Sequence, residues 1–210
     1  MTRLYVVVEG QTEESFVNAV LLPVLLSHQV LATSILTGGN PRWSRVRQDV
    51  ATLLHDRTAF VTTMFDLYGL GPDWPRRLPS PIHNGAVAAR QIEHATAEAI
   101  ASNPPRFIPH IQPFEFEALL FSEPTLLADA IGAPAVAPRL GAIRGQFQSP
   151  EEINDSPQTA PSKRILGCFP AYQKVLHGAL AAQTIGLDRM RAECPHFSAW
   201  IDRLIALGTS

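Results

Sequence analysis

Leu4-Tyr5-Val6-Val7-Val8-Glu9-Gly10-Gln11-Thr12-Glu13-Glu14 is the stretch that decides the fold class. Its first five residues form a short apolar run rich in β-branched side chains, which suits a strand buried on both faces. The run stops at Glu9-Gly10. Beyond it, Phe16, Val17, Val20, Leu21, Val24 and Leu25 recur at helical spacing. Thr12 fits an N-cap, and Glu13 and Glu14 would complement the positive end of the helix dipole. A strand, an acidic glycine turn and a helix are the opening of a βα unit.

Working outward, the pattern repeats. Gly38-Gly39-Asn40-Pro41 is a loop, and a second helix is predicted from about Ser44 to His55. Ala59 to Phe65 is another apolar, β-branched run and ends at Asp66. Tyr68 to Ile82 is rich in Pro and Gly, which predicts an irregular loop. Asn84 caps a third predicted helix, roughly Gly85 to Ser102, ahead of Pro104-Pro105. Phe107 to Ile111 is the third predicted strand, with Glu115-Phe116-Glu117 just beyond it. Strands alternating with helices imply an α/β fold with a mostly parallel central sheet flanked by helices. This core is expected over residues 1–132. Beyond Gly132 the texture changes: Ala133 to Pro161 reads as a long connecting loop, with helical patterns from Pro170 to Gln183 and from Pro195 to Leu207. Residues 133–210 are expected to be a loop and helical extension packed on the core as one structural domain.

Composition narrows the function classes. Of 210 residues, 46% are apolar and 17% charged, a globular balance, and the net charge of −2 supplies no basic field for a polyanion. Cys168 and Cys194 form no CxxC pair, which argues against a zinc or disulfide framework. No cationic leader precedes Leu4, and the apolar stretch Val17 to Leu26 is interrupted and short. A soluble cytoplasmic protein with no membrane association is expected. Neither a Gly-x-Gly-x-x-Gly nor a Walker-type loop occurs, which argues against ATP hydrolysis by this chain alone.

Three apolar segments run into acids: Val8 into Glu9, Phe65 into Asp66, and Ile111 shortly before Glu115. Ligands of open α/β sheets gather at the carboxyl ends of the strands. Carboxylates converging there repel one another, and a hard cation such as Mg²⁺ or Mn²⁺ relieves the repulsion. Glu13 and Glu117 would add ligands for a second ion if they point inward. Each residue also has a plainer reading. Glu9 and Asp66 fit polar turns, Glu13 and Glu14 fit helix-terminal acids, and Glu115 and Glu117 alternate with Phe114 and Phe116 as a half-exposed strand would.

Val8-Glu9-Gly10-Gln11-Thr12-Glu13 resembles the first motif of Toprim domains, especially those of overcoming-lysogenization-defect (OLD) nucleases. Phe65-Asp66-Leu67-Tyr68-Gly69 stands where Toprim proteins place Asp-x-Asp. Together with His110-Ile111-Gln112-Pro113-Phe114-Glu115-Phe116-Glu117-Ala118-Leu119-Leu120-Phe121, these segments resemble a Toprim-like family known as domain of unknown function 4276. Pro150-Glu151-Glu152-Ile153-Asn154-Asp155, Ala160-Pro161-Ser162-Lys163-Arg164 and Cys194-Pro195-His196-Phe197-Ser198-Ala199-Trp200 extend the likeness over nearly the whole chain. The resemblance implies metal-dependent phosphodiester chemistry on DNA or RNA, with Glu9 as general acid/base or ligand, Asp66 holding metal and Glu115 or Glu117 completing the site. It also implies an SMC-like or OLD-like ATPase partner in an anti-phage module. Tyr68 replaces the second acid of Asp-x-Asp, and Asp73 is the nearest substitute. That departure keeps a second class open, a non-catalytic Toprim-like binding or regulatory subunit, and a nucleotide phosphohydrolase is a third.

Arg42, Arg45 and Arg47, then Arg76 and Arg77, then Lys163 and Arg164 are the basic groups available for phosphate contacts. Lys163 is the preferred phosphate ligand, and ordinary solvated surface is the alternative for the arginines. Trp43 and Trp74 would stack on unpaired bases. His110, next to the third strand, reads as a satisfied structural histidine, with a catalytic role as the alternative. Cys194 reads as packing.

Overall fold

The structure, a computed structural model, describes residues 1–77, 82–101, 105–154 and 157–209. Ser102, Pro104 and Asp155, named above, lie outside the described residues. The strands are β1 (Thr2–Val8), β2 (Val30–Leu36), β3 (Ala59–Asp66), β4 (Phe107–Ile108) and β5 (Ile111–Gln112), and every pairing is parallel. Their order is β2-β1-β3-β4, with β5 also on β3. The expected parallel sheet flanked by helices is therefore the observed architecture.

Side chains of β1 alternate between two apolar clusters. Val6 and Val8 enter the cluster with Phe16, Leu21 and Phe197, whereas Val7 joins Val46, Phe65 and Ile92 on the opposite face. Each such fully buried side chain contributes roughly 1.5–3 kcal/mol. The second face is covered by α3 (Trp43–Leu53) and α4 (Gly85–Ala99), the latter capped by Asn84 Oδ1, which accepts Val87 N–H at 3.0 Å. The first face carries α1 (Gln11–Phe16) and α2 (Leu22–Ser27), joined by a π-helical segment, Val17–Leu21. Pro23 explains that widening. In a regular α-helix its ring would collide with the carbonyl four residues back, inside the π segment.

Two expectations need correction. Val30–Leu36 is a strand, β2, that the sequence reading missed; it follows α2 after only His28 and Gln29, with Gln29 at φ 62°. The stretch 133–161 is not one long loop. It contains α7 (Ala137–Arg144) and short 3₁₀ turns at Pro134–Val136, Pro150–Glu152 and Pro157–Thr159. The remaining helices are α5 (Glu117–Leu120), α6 (Pro124–Ala130), α8 (Pro161–Cys168), α9 (Ala179–Ile185), α10 (Leu187–Glu193) and α11 (Pro195–Ala206). Ile165, Ile185, Met190 and Trp200 from these late helices share the apolar cluster of Val6 and Phe16.

The third predicted strand is present but interrupted. β4 and β5 keep one register against β3 (Val61 with Phe107, Phe65 with Ile111) while Pro109 and His110 drop out of the ladder. Pro109 has no N–H to give. Thr63 repairs the gap: its hydroxyl donates to His110 C=O at 2.9 Å and accepts His110 N–H at 3.0 Å.

Candidate metal centre

β1 is joined in sequence to β2 on one side and lies beside β3 on the other, so the winding reverses between β1 and β3. At such a switch point the loops leaving the strand ends diverge and open a crevice. Val8 pairs with Met64, so Glu9, directly after β1, and Asp66, the last residue of β3, reach the same sheet end.

Glu9 lies against the backbone of Gly69, where a Cβ would stand 2.4 Å from its Oε2. Glycine at 69 is what leaves the carboxylate room. Phe114, at φ 61°, turns the chain after β5 so that Phe116 N–H donates to Asp66 Oδ1 at 2.7 Å. That turn brings Glu117, the first residue of α5, into the crevice, where it is fully buried. Glu13 is buried beside them and accepts Gly10 N–H at 3.0 Å. Gly10, not Thr12, is thus the N-cap of α1, because the reciprocal bond from Glu13 does the capping.

Lys174 sits among these acids. Its Nζ is 3.1 Å from Asp66 Oδ2 and 3.1 Å from Glu117 Oε2, and the Tyr172 hydroxyl donates to Glu117 Oε1 at 3.4 Å. Burial pushes Glu9 up from its ordinary carboxyl range, Glu13 adds to this, and Lys174 opposes it. Burial drives Asp66 well up despite Lys174, with Glu13, Glu117 and Glu9 adding their repulsion. Glu117 rises to about 6, again mainly through burial. For Lys174, burial works against the charge, but Asp66 and Glu117 overcome it and raise the ammonium. One ammonium thus faces several buried carboxylates, whose raised values show that burial and mutual repulsion outweigh its attraction. A cavity of about 410 Å³, walled by Glu9, Glu13, Gly38, Lys174 and Val175, leads from the cluster to solvent.

The remaining candidates are placed elsewhere or partly so. Glu115 is half-buried and accepts Ser162 N–H at 2.9 Å, at the start of α8, while its charge still bears on Glu117. Lys163, in that same first turn, is exposed. Asp73 does not replace the missing acid: its oxygens accept Trp43 N–H and Ser44 N–H, each at 3.1 Å, and hold the start of α3. Tyr68 accepts a hydrogen bond from Asn154 Nδ2 and packs on Phe114. Trp74 is not free to stack on bases, because it is buried against Phe65 and donates to Pro41 C=O at 2.6 Å; Trp43 packs on it at 5.3 Å. Arg42 and Arg47 are exposed, and Arg45 lies 3.8 Å from Asp49. Arg76 is exposed and Arg77 half-buried. Lys174 was missed because nothing local distinguishes a single lysine between Gln173 and Val175.

The family described as "Domain of unknown function (DUF4276)" matches the chain over residues 8–205. No curated protein matches it. Among solved structures, the C-terminal region of the Xanthomonas campestris pv. campestris OLD protein is similar in two forms. The form phased with iodine has a TM-score of 0.42 at 13% identity, covering 97% of each chain. The form phased with mercury has a TM-score of 0.39 at 15% identity, covering 100% of this chain and 99% of that one. Among the described residues, no helix is long and apolar enough to cross a membrane.

Proposed function

The chain belongs to the DUF4276 family, and from that premise and its acidic crevice we propose a Mg²⁺- or Mn²⁺-dependent, Toprim-like nuclease that hydrolyses phosphodiesters in DNA or RNA. The observation that carries this reading is the convergence of Glu9 and Asp66, from two neighbouring strand ends, and of Glu117, from the first turn of α5, around the single ammonium of Lys174. The donor set fits a hard cation, since it is all oxygen, and the buried Glu9 Oε2 has no hydrogen-bond partner. Glu9, Asp66 and Glu117 would hold the ion, with Glu13 and Glu115 flanking. When bound, the ion would stabilise developing phosphoryl charge and acidify an attacking water.

The chain's own groups do the rest. Glu9, which lines the solvent cavity, is the carboxylate positioned to accept a proton. Asp66 is held by Phe116 N–H, and Glu117 by Tyr172, so neither carboxylate can swing freely. The Lys174 ammonium, partly exposed at the same cavity, offers positive charge to a phosphate, a role that Lys163 would share only from the rim. In this reading the SMC-like or OLD-like ATPase partner supplies the nucleotide hydrolysis for which the sequence has no loop. A second reading, a binding subunit without catalysis, draws on Tyr68 in the second-acid position and on Lys174 already lodged between two acids.

Supercoiled-plasmid nicking with Mn²⁺ or Mg²⁺, comparing wild type, Asp66→Asn and an EDTA control, tests the proposal. Metal-dependent nicking that Asp66→Asn abolishes supports it. Equal activity in both proteins, or none in either with the proposed ATPase partner present, sinks it.

A further inference from the structure

A second cluster of ligating side chains is built from none of the crevice residues. Glu93 of α4, His110 in the interrupted strand and His196 in the first turn of α11 bring their ligand atoms within 4.8 Å of one another. Part of this cluster has a structural explanation. His196 Nε2 is 2.9 Å from Glu93 Oε1 and 3.2 Å from Ile111 C=O, and Glu93 Oε1 accepts Ile111 N–H at 2.7 Å. The pair therefore covers polar groups that β5 presents at the open sheet edge.

Edge covering does not explain His110. Its ring is fully buried, stacked 4.3 Å from Trp200 and 5.1 Å from His196, and neither ring nitrogen has a hydrogen-bond partner. Nδ1 stands 3.6 Å from Glu93 Oε1, too far for a hydrogen bond. A neutral imidazole has one nitrogen to donate and one to accept. Leaving such groups unmet costs about 1–3 kcal/mol each, which a phenylalanine in the same space would avoid. Burial and the neighbouring His196 hold His110 well below its ordinary value, against the opposing pull of the nearby Gln112 amide, and the uncharged ring offers one lone pair to a ligand.

We propose that Glu93, His110 and His196 bind a transition-metal ion of the Zn²⁺ class. Two imidazoles and one carboxylate select such an ion over Mg²⁺, which the all-oxygen crevice prefers. Ligand atoms of a tetrahedral Zn²⁺ stand about 3.3 Å apart. The separations from Glu93, 2.9 Å to His196 and 3.6 Å to His110, lie on either side of that spacing, and the two imidazoles, within 4.8 Å of each other, must close up around the ion. His196 must tilt out of its stack, at 26° to His110, so that both lone pairs meet at the ion. Ile111 N–H stays on Glu93 as an outer partner that fixes the carboxylate. A cavity of about 390 Å³ bordered by Arg90, His94 and Arg203 adjoins the cluster and leaves the fourth position to water or an anion.

Co²⁺ titration of chelator-stripped protein tests the assignment through the visible d–d bands of four-coordinate Co²⁺. The bands are expected in wild type and in Asp66→Asn. Glu93→Gln and His196→Gln should each weaken binding roughly tenfold or more, with far-UV circular dichroism unchanged. His110→Phe should lose the bands yet unfold at higher temperature than metal-free wild type. Bands absent from wild type, unmoved by Glu93→Gln and His196→Gln, or lost in Asp66→Asn would overturn the proposal. The nicking assay of the crevice is read separately, so failure of one site is distinguishable from failure of the other.

Discussion

Glu117→Gln should make the metal-free protein more stable at neutral pH. Glu117 is fully buried and its carboxyl is raised from 4.5 to about 6. A folded-state value above the unfolded one means that the native state binds the proton more tightly. The stabilisation is complete below about pH 4.5 and is lost as pH rises through 6. A difference of this size corresponds to about 2 kcal/mol. Glutamine carries the neutral shape at every pH, and Lys174 keeps its ion pair with Asp66. At pH 7.5 the variant should gain about 2 kcal/mol over chelator-treated wild type, or roughly 4–8 °C in Tm for a chain of this length. Near pH 4 the two proteins should coincide. Mn²⁺ should then raise the wild-type Tm and leave that of the variant nearly unmoved. Thermal melts across this pH range with and without Mn²⁺ make the comparison. A variant less stable than wild type at pH 7.5, or one displaced equally at both pH values, would refute the account of a crevice strained by its own charge.

Asp73→Ala should cost about 1 kcal/mol through loss of the α3 cap, with Mn²⁺ affinity by calorimetry unchanged; a loss of affinity would return Asp73 to the site. Gly69→Ala places a Cβ 2.4 Å from Glu9 Oε2 and should lower both Mn²⁺ affinity and stability, the latter by about 1–3 kcal/mol in urea unfolding. Thr63→Val leaves His110 N–H and C=O without their partner, and equilibrium denaturation should show a loss of about 2–4 kcal/mol.

Sequence carried the sheet's centre because Leu4–Val8 is a continuous apolar run and Ala59–Phe65 a mostly apolar, β-branched one, each stopping at an acid. It failed at β2, where Ala32, Thr33 and Ser34 dilute the apolar pattern and no glycine or proline separates strand from helix. Of the three strand-end acids that the sequence singles out, Glu9 and Asp66 lie in the crevice and Glu115 does not, while Glu13 and Glu117 enter it from the first turns of α1 and α5. Glu115 and Glu117 were inseparable by spacing. A residue with positive φ, Phe114, decides which of them enters, and phenylalanine gives no local sign of that conformation. Lys174 meets Asp66 across 108 residues of chain and His196 meets Glu93 across 103, separations that no window of sequence displays.

Lys174 opens a π-helical turn, Lys174–Gly178, and Gly178 closes it so tightly that an added Cβ would lie 3.2 Å from Thr12 Cγ2. Such a turn holds one residue more than an α-helical turn. Deleting any one of residues 175–177 would leave one ordinary α-helical turn and keep Lys174 nearly in phase with α9, whereas inserting one more residue there would rotate Lys174 by about 100° relative to α9. The crevice would then keep every acid and lose its ammonium, through a change in chain length alone. Over evolutionary time, an insertion in this turn would act as a switch on the site's charge that no catalogue of point substitutions would reveal.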